Sequence, residues 1–443
     1  MNRTILFIML LLAAVIMSAC AGKSDPLPQD VDLSNEVEHD EDNTTTDDST
    51  EMLEEEEEDS KPGDDSRIIE GFNIAPALTV TSLKEAYQDY FLFGVGLNGT
   101  SPSNDTVQSE AMREIIKHHF NSVTYSNLMK PSYLLDHAQS MSNVENGISE
   151  PAVNFESAIA GLEFAKENNI QMRGHTLVWH AQTPDWFFRE GYRSNGEFVD
   201  KDTMLERMES YIKQVLDYTQ TEYPGVIYSW DVVNEAVEIR TGHFETETGL
   251  HIRTMHGDDL DNLWYKIVGI DYVEKAFEYA RKYADEETKL FYNDYNTFQP
   301  LKTSSIYQLA AGLKEKGIID GIGMQGYMGL DYPRIGSGHD NIADAIKKFS
   351  ELELEIHITE LTISSNDKDE ASMNAQSNRY KELFELLTEL DTNSGGPANI
   401  TSVTVFGLMD EYMFYANDKN YARLFDGQLQ PKPAFYSIMS VVE

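Results

Sequence analysis

Eight short apolar runs separated by longer amphipathic stretches constrain this 443-residue chain more than any other feature. The runs are FLFGVG (91–96), FNSVTY (120–125), IQMRGHTLVW (170–179), VIYSWDVVNE (226–235), KLFYNDY (289–295), IDGIGMQG (319–326), EIHITEL (355–361) and TSVTVFGL (401–408). Each is short and rich in β-branched and aromatic residues, as a buried strand is. Between them lie segments of helical period. In FESAIAGLEFAKENN (155–169) the apolar residues Ile159, Leu162 and Ala165 fall on one face, and YVEKAFEYARKYA (272–284) and SSIYQLAAGLKEKG (304–317) behave alike. Eight strand–helix units in succession predict an α/β fold, a (β/α)8 TIM barrel, over residues 67–443. A doubly wound sheet is the alternative, but no glycine-rich phosphate loop follows any of the runs. Nothing in the pattern suggests a second folded domain.

The N-terminal part reads differently. Residues 1–20, MNRTILFIMLLLAAVIMSAC, have a basic start, an apolar run and a small-residue ending, the grammar of a signal peptide. The run is short for a membrane span. Its MSAC ending resembles a bacterial lipobox, which makes Cys20 a lipidation candidate, with plain secretion as the alternative. Cys20 is the only cysteine, so no disulfide and no thiolate metal cluster can form within the chain. Residues 21–66 are polar, with nineteen acidic residues between 25 and 65 against one lysine, Lys61. Such a segment cannot bury enough surface to fold, and self-repulsion extends it. It is expected to be a disordered tether that lifts the barrel off the extracellular face of a membrane, which the protein touches only through the lipid. The formal net charge is −42. That charge disfavours nucleic acid and anionic lipid surfaces and suits a neutral substrate.

In a barrel of this kind functional side chains come from the C-terminal ends of the strands. Those ends offer Asn127, Lys130, His175, Trp179, His180, Gln182, Asn234, Glu235, Asn293, Tyr295, Gln325, Tyr327, Glu360, Phe406, Asp410 and Phe414. Carboxylates, amides and aromatics gathered at one mouth make a carbohydrate site: aromatic faces stack on sugar C–H surfaces, and amides and lysine pair with hydroxyls. Glu235 after the fourth run and Glu360 in the seventh are the pair that matters, since strands four and seven face each other across an eight-strand ring. Retaining glycoside hydrolysis needs two carboxyl groups about 5–5.5 Å apart, one acid/base and one nucleophile. Asn234, beside Glu235, is placed to bind a sugar 2-hydroxyl. A lone strand-end glutamate is more often a salt-bridge partner; the pair, with Asn234 and the aromatics, favours chemistry.

Other clusters carry less. His175 and His180, five apart on a strand, fall on opposite faces, which argues against metal binding. His118 and His119 are expected to be a surface pair. Arg173 and Asp231 are expected to be structural ion-pair partners. No Ser-His-Asp arrangement stands out. No metal and no cofactor is expected.

These residues resemble glycoside hydrolase family 10, best known for endo-β-1,4-xylanases, over roughly residues 80–440. NSVTYSNLMKP (121–131), RGHTLVWHAQTPDW (173–186), WDVVNEAVE (230–238), LFYNDYN (290–296), ITEL (358–361) and LFDGQLQPKPAF (424–435) carry the resemblance. It implies Glu235 as acid/base and Glu360 as nucleophile. It implies Lys130, His175, Trp179, Asn127, Asn234 and Gln325 as sugar-binding residues, with Gln182, Asn293 and Tyr295 in a supporting shell. The chain departs from the family at five places. The family usually has Glu where Ser126 stands, His where Tyr327 stands, Asp where Thr362 stands, and Trp where Phe406 and Phe414 stand. The His and Asp normally form a carboxylate–imidazole chain onto the nucleophile; Tyr327 can still donate one hydrogen bond to Glu360. The five changes bear on substrate identity rather than reaction type, because both carboxylates remain. The resemblance implies a monomeric retaining enzyme that cleaves internal β-1,4 bonds of xylan or a related plant cell-wall polysaccharide. The alternatives are a related β-glycosidase acting on a substituted glycan and a non-catalytic glycan-binding surface lipoprotein.

Overall fold

The computed structural model describes residues 67–443 except 247, 257–259 and 411–420. The signal-peptide-like stretch, Cys20, the acidic segment and Phe414 lie outside the described residues.

Each apolar run forms a strand. They are β1 (Leu92–Leu97), β2 (Ser122–Tyr125), β3 (Gln171–Trp179), β4 (Ile227–Asn234), β5 (Lys289–Asp294), β6 (Gly321–Met324), β7 (Glu355–Ser364) and β8 (Asn399–Val405). Each pairs in parallel with the next, and β8 pairs with β1, so the sheet closes into an eight-stranded barrel. One main helix follows each strand: α1 (Glu110–His119), α2 (Ile159–Glu167), α3 (Lys201–Glu222), α4 (Tyr272–Tyr283), α5 (Pro300–Glu315), α6 (Ile342–Ser350), α7 (Glu370–Leu390) and α8 (Pro433–Met439). Their starts are written locally. Ser109, Asp200, Asn341 and Asp369 cap α1, α3, α6 and α7 through side-chain oxygens, and proline opens α5 and α8. Val273, Ala276, Phe277 and Ala280 of α4 are all buried, the i, i+3, i+4, i+7 stripe of a helix lying on a sheet.

The barrel interior is filled rather than hollow. A Cβ on Gly174 would meet the Trp230 indole at 2.3 Å, so glycine is what lets that ring occupy the centre. Below the mouth a polar layer crosses the barrel. Arg173 grips both oxygens of Asp231, at 3.1 and 2.5 Å, and donates from Nε to His357 Nδ1 at 3.1 Å. Burial, and then the Arg173 charge, hold the His357 imidazole well below its usual pKa. It is therefore neutral, accepting at Nδ1 and facing Thr401 Oγ1 at 2.9 Å through Nε2. Arg173 and Asp231 are thus the structural pair that the sequence suggests.

Three expectations need correcting. The strand β7 runs to Ser364 rather than ending at 361, because the segment Tyr327–Gly329 pairs with it, Tyr327 opposite Thr362. The helix expected over 155–169 starts only at Ile159, and the one expected over 304–317 starts earlier, at Pro300. His118 and His119 are not a surface pair. His119 is fully buried, its Nε2 2.7 Å from the Ala77 carbonyl, and His118 Nε2 lies 2.9 Å from the Val80 carbonyl. The segment before β1 covers α1, and both imidazoles fasten it there.

Candidate active site

The site is assembled by the register of the strands. Asn234 at the end of β4 stands opposite Asn293 of β5, and Asn293 opposite Gly323 of β6. A Cβ at Gly323 would come within 2.4 Å of the Asn293 Oδ1, so this glycine makes room for the amide. Glu360 lies inside β7, at a register shift between Ile358 and Leu361 where pairing with β8 is interrupted. Its N–H bonds the Gln325 carbonyl at 2.8 Å. Glu235 follows β4 directly, and its N–H bonds the Asn293 carbonyl at 2.9 Å. It adopts φ +59°, in the left-handed region that a residue with a Cβ occupies at a cost of about 1–2 kcal/mol.

Three buried amides join the two carboxylates. Asn293 Nδ2 donates to Glu360 Oε1 at 3.1 Å and to Asn234 Oδ1 at 3.0 Å. Gln325 Nε2 donates to Glu235 Oε1 at 2.8 Å and to Asn234 Oδ1 at 3.4 Å. Thr359 Oγ1 donates to Asn293 Oδ1 at 2.7 Å, which fixes the orientation of that amide. Asn234 Oδ1 therefore accepts twice, and its Nδ2 is the group left to donate to a ligand. The outer oxygens of the carboxylates are held by aromatics. Trp179 Nε1 donates to Glu235 Oε2 at 2.9 Å, and Tyr327 Oη donates to Glu360 Oε2 at 2.5 Å.

The line continues at both ends. Lys130 Nζ lies 4.5 Å from the Trp179 ring centroid and donates to Asn127 Oδ1 at 3.1 Å. Asn127 donates to the Gly99 carbonyl at 3.3 Å and lies beside the buried Ser126. On the other side Phe406 meets the Tyr327 ring edge-on, centroids 6.1 Å apart. Asn127, Lys130, Trp179, Glu235, Gln325, Asn234, Asn293, Glu360, Tyr327 and Phe406 thus form one contiguous site.

Four further residues flank this line. His175 is anchored from below, its Nδ1 2.9 Å from Asp231 Oδ2, a bond that does not engage its Nε2. Burial raises the Asp231 pKa, but Arg173 and His175 more than offset this and hold it below the usual range. Gln182 is exposed, and its carbonyl accepts from Ser132 N–H. Tyr295 stands behind Glu235, bonded to Glu238 at 3.2 Å and Arg253 at 2.7 Å. Asp410 is a buried ion-pair partner of Lys432 at 2.6 Å. Sequence reasoning missed Thr359, Arg253 and Trp264, whose indole N–H donates to the Trp179 carbonyl at 3.1 Å. Thr359 adjoins Glu360, and the strand motif alone points to it. Arg253 and Trp264 lie in the connection after β4, which no periodicity marks.

Residues 82–441 match the family model for glycosyl hydrolase family 10. The chain belongs to that family. It is 46% identical over 316 residues to a protein of Caldicellulosiruptor saccharolyticus whose name provisionally gives it as an endo-1,4-beta-xylanase; the match covers 70% of this chain and 96% of that protein. It is 42% identical over 362 residues to endo-1,4-beta-xylanase B of Butyrivibrio fibrisolvens, covering 81% of this chain and 53% of that relative, so it spans about half of the second protein's length. Among solved structures it resembles two modules of endo-1,4-beta-D-xylanase 10B from Clostridium thermocellum, complexed with xylohexaose, at TM-score 0.72 and 34% identity, covering 82% of this chain and 67% of that one. The site described above is therefore the mouth of a family 10 barrel.

Proposed function

We propose that the protein is a retaining endo-β-1,4-xylanase acting by double displacement, with Glu360 as nucleophile and Glu235 as acid/base. One observation carries the pairing of the two carboxylates; their separate roles are those that the family resemblance implies. Two carboxylates on facing strands are joined through Asn293, Asn234 and Gln325, with every carboxylate oxygen held by a donor. The xylanase names of the relatives support the substrate.

The chemistry follows from that arrangement. A xylan chain lies across the mouth, one sugar over Trp179 and Lys130. Glu235 gives its proton to the glycosidic oxygen as Glu360 attacks the anomeric carbon. The C–O bond breaks, the reducing-end fragment leaves as an alcohol, and a glycosyl ester on Glu360 remains. Water then enters the vacated side and gives a proton to Glu235. Its oxygen attacks the anomeric carbon and Glu360 departs as carboxylate. Two inversions give net retention. Asn234 Nδ2 donates to the 2-hydroxyl oxygen of the reacting sugar, a bond that strengthens as charge develops at the transition state. Glu360→Ala and Glu235→Ala are expected to abolish xylan hydrolysis, and proton NMR of the first products is expected to show the β-anomer. Full activity in either variant, or an α-anomer product, overturns the assignment.

The N-terminal residues support a second proposal, that Cys20 carries a lipid and residues 21–66 tether the barrel at the extracellular face of a bacterial membrane. Cys20→Ser is expected to move xylanase activity from the membrane fraction to the medium. Activity that stays with the membrane refutes it.

A further inference from the structure

Glu235 holds a left-handed backbone although it carries a Cβ, and such a residue persists only where its surroundings over-determine it. Three of its restraints come from the barrel: the main-chain bond to Asn293, and the side-chain bonds from Trp179 and Gln325. The remaining one comes from outside. Arg253, in the connection between β4 and α4, donates from Nε to the Glu235 carbonyl at 2.8 Å.

Arg253 is itself closely fixed. Its N–H bonds the Ala236 carbonyl at 2.8 Å, its carbonyl accepts from Asn262 Nδ2 at 2.9 Å, and its neighbour Ile252 bridges to Val237. Its Nη2 donates to Tyr295 Oη at 2.7 Å and lies 3.3 Å from Glu238 Oε2, while Tyr295 donates to that same carboxylate at 3.2 Å. Arg253 as a whole is 8% exposed. A planar fork in this position grips the Glu235 carbonyl with one edge and the Tyr295–Glu238 pair with the other, which lysine, a point charge, cannot reproduce. Glu360 shares none of these contacts; it is held by Asn293 and Tyr327.

We propose that Arg253 is a positioning residue for the acid/base: by clamping the main chain of Glu235 it sets the angle at which that carboxyl meets the glycosidic oxygen, without acting on the nucleophile. The inference rests on the reading of Glu235 as acid/base. Its consequence is selective. Protonation matters when the leaving group is a poor one, such as a sugar alcohol, and is dispensable when the leaving group is already a stable anion. A misplaced acid therefore slows the first kind of substrate and spares the second.

The test compares kcat/KM, which reports the first displacement, for xylohexaose and for 2,4-dinitrophenyl β-xylobioside. Misplacing a catalytic group by about 1 Å can cost about 100-fold. Arg253→Ala is expected to lose about 10- to 100-fold on xylohexaose and less than about threefold on the dinitrophenyl substrate. Arg253→Lys, which keeps charge but not the two-sided grip, is expected to show the same selectivity. Tyr295→Phe, which removes the hydroxyl that anchors the guanidinium, is expected to show a smaller version. If the alanine variant does not fold, these two carry the test. Equal loss on both substrates, or no loss on either, overturns the proposal. Glu235→Ala is run alongside. If that variant fails to discriminate between the substrates, the acid/base reading fails; if it discriminates and the Arg253 and Tyr295 variants do not, only the positioning role fails.

Discussion

Tyr327→Phe isolates the least family-like contact of the site. The Tyr327 hydroxyl donates to Glu360 Oε2 at 2.5 Å, while its ring rests edge-on against Phe406. Phenylalanine keeps the ring and removes only the donor. A hydrogen bond to a carboxylate contributes about 1.5–3 kcal/mol. The bond is strongest when Glu360 is a free anion and weakest when it is an ester. In the first displacement it weakens on the way to the transition state, and in the second it strengthens. With roughly half the bond in play at each transition state, the hydroxyl favours departure of Glu360 by about 1 kcal/mol, or about fivefold in rate. The same hydroxyl slows attack by a similar factor.

The variant is therefore expected to lose kcat by about fivefold on 2,4-dinitrophenyl β-xylobioside, where release of the ester limits turnover, with kcat/KM undiminished. KM falls with kcat, and the mass spectrum of quenched enzyme shows a larger glycosyl-enzyme fraction. Stability should hardly change, since the hydroxyl borders the open mouth. Parallel loss of kcat and kcat/KM, with no gain of glycosyl-enzyme, refutes the reasoning and makes Tyr327 a simple orienting group.

Three other outcomes follow from charges around the site. Asp231→Ala leaves the Arg173 guanidinium buried without its carboxylate, at a cost of about 3–5 kcal/mol measured by denaturant unfolding. Against the burial that raises it, Arg173 and His175 lower the folded Asp231 pKa from 3.8, so its contribution is present above about pH 4 and is lost as pH falls further; the gap between wild type and variant should narrow there. Asp105 behaves oppositely: burial raises it to about 6, opposed by the Tyr125 hydroxyl, so its ionisation destabilises the fold progressively from about pH 4 to 6. Asp105→Asn should gain on wild type across that interval by at most about 3 kcal/mol in unfolding free energy, and a constant difference would refute this. Thr362→Asp places a second anion two positions from Glu360 on the same strand face, opposite Tyr327. It is expected to destabilise by about 1–3 kcal/mol alone and by less with Tyr327→His, so that the double-mutant cycle shows coupling; additivity would refute it.

The parts of the site that were legible in the sequence are those at the C-terminal ends of the strands. A barrel gathers those ends at one mouth, so strand order alone places Asn234, Glu235 and Glu360 together. The length of β7 was not legible, because its last residues pair with Tyr327–Gly329, a partner distant in sequence. The burial of His119 was hidden for the same reason: its helix looks two-sided until the segment from Ile74 to Leu83 covers it. The partner of Tyr295 was hidden too: its hydroxyl accepts from Arg253, which comes from a connection whose path no local pattern specifies. Long-range hydrogen bonds, not propensities, decide these cases.

Tyr327 and Thr362 make physical sense as a pair. An imidazole at 327 would need a carboxylate beyond it to fix its tautomer and carry its charge, and position 362, directly opposite in the register, is where such an acid would stand. A phenol needs neither. Its single proton goes to Glu360, and a buried carboxylate at 362 would face it with no cation to offset its desolvation. Once 327 is tyrosine, a small β-branched residue at 362 suits the strand and leaves no charge unpaired. The chain thus keeps a donor on Glu360 without a relay of two ionisable groups. What is lost with them is a source of pH sensitivity beside Glu360, not the hydrogen bond that orients it.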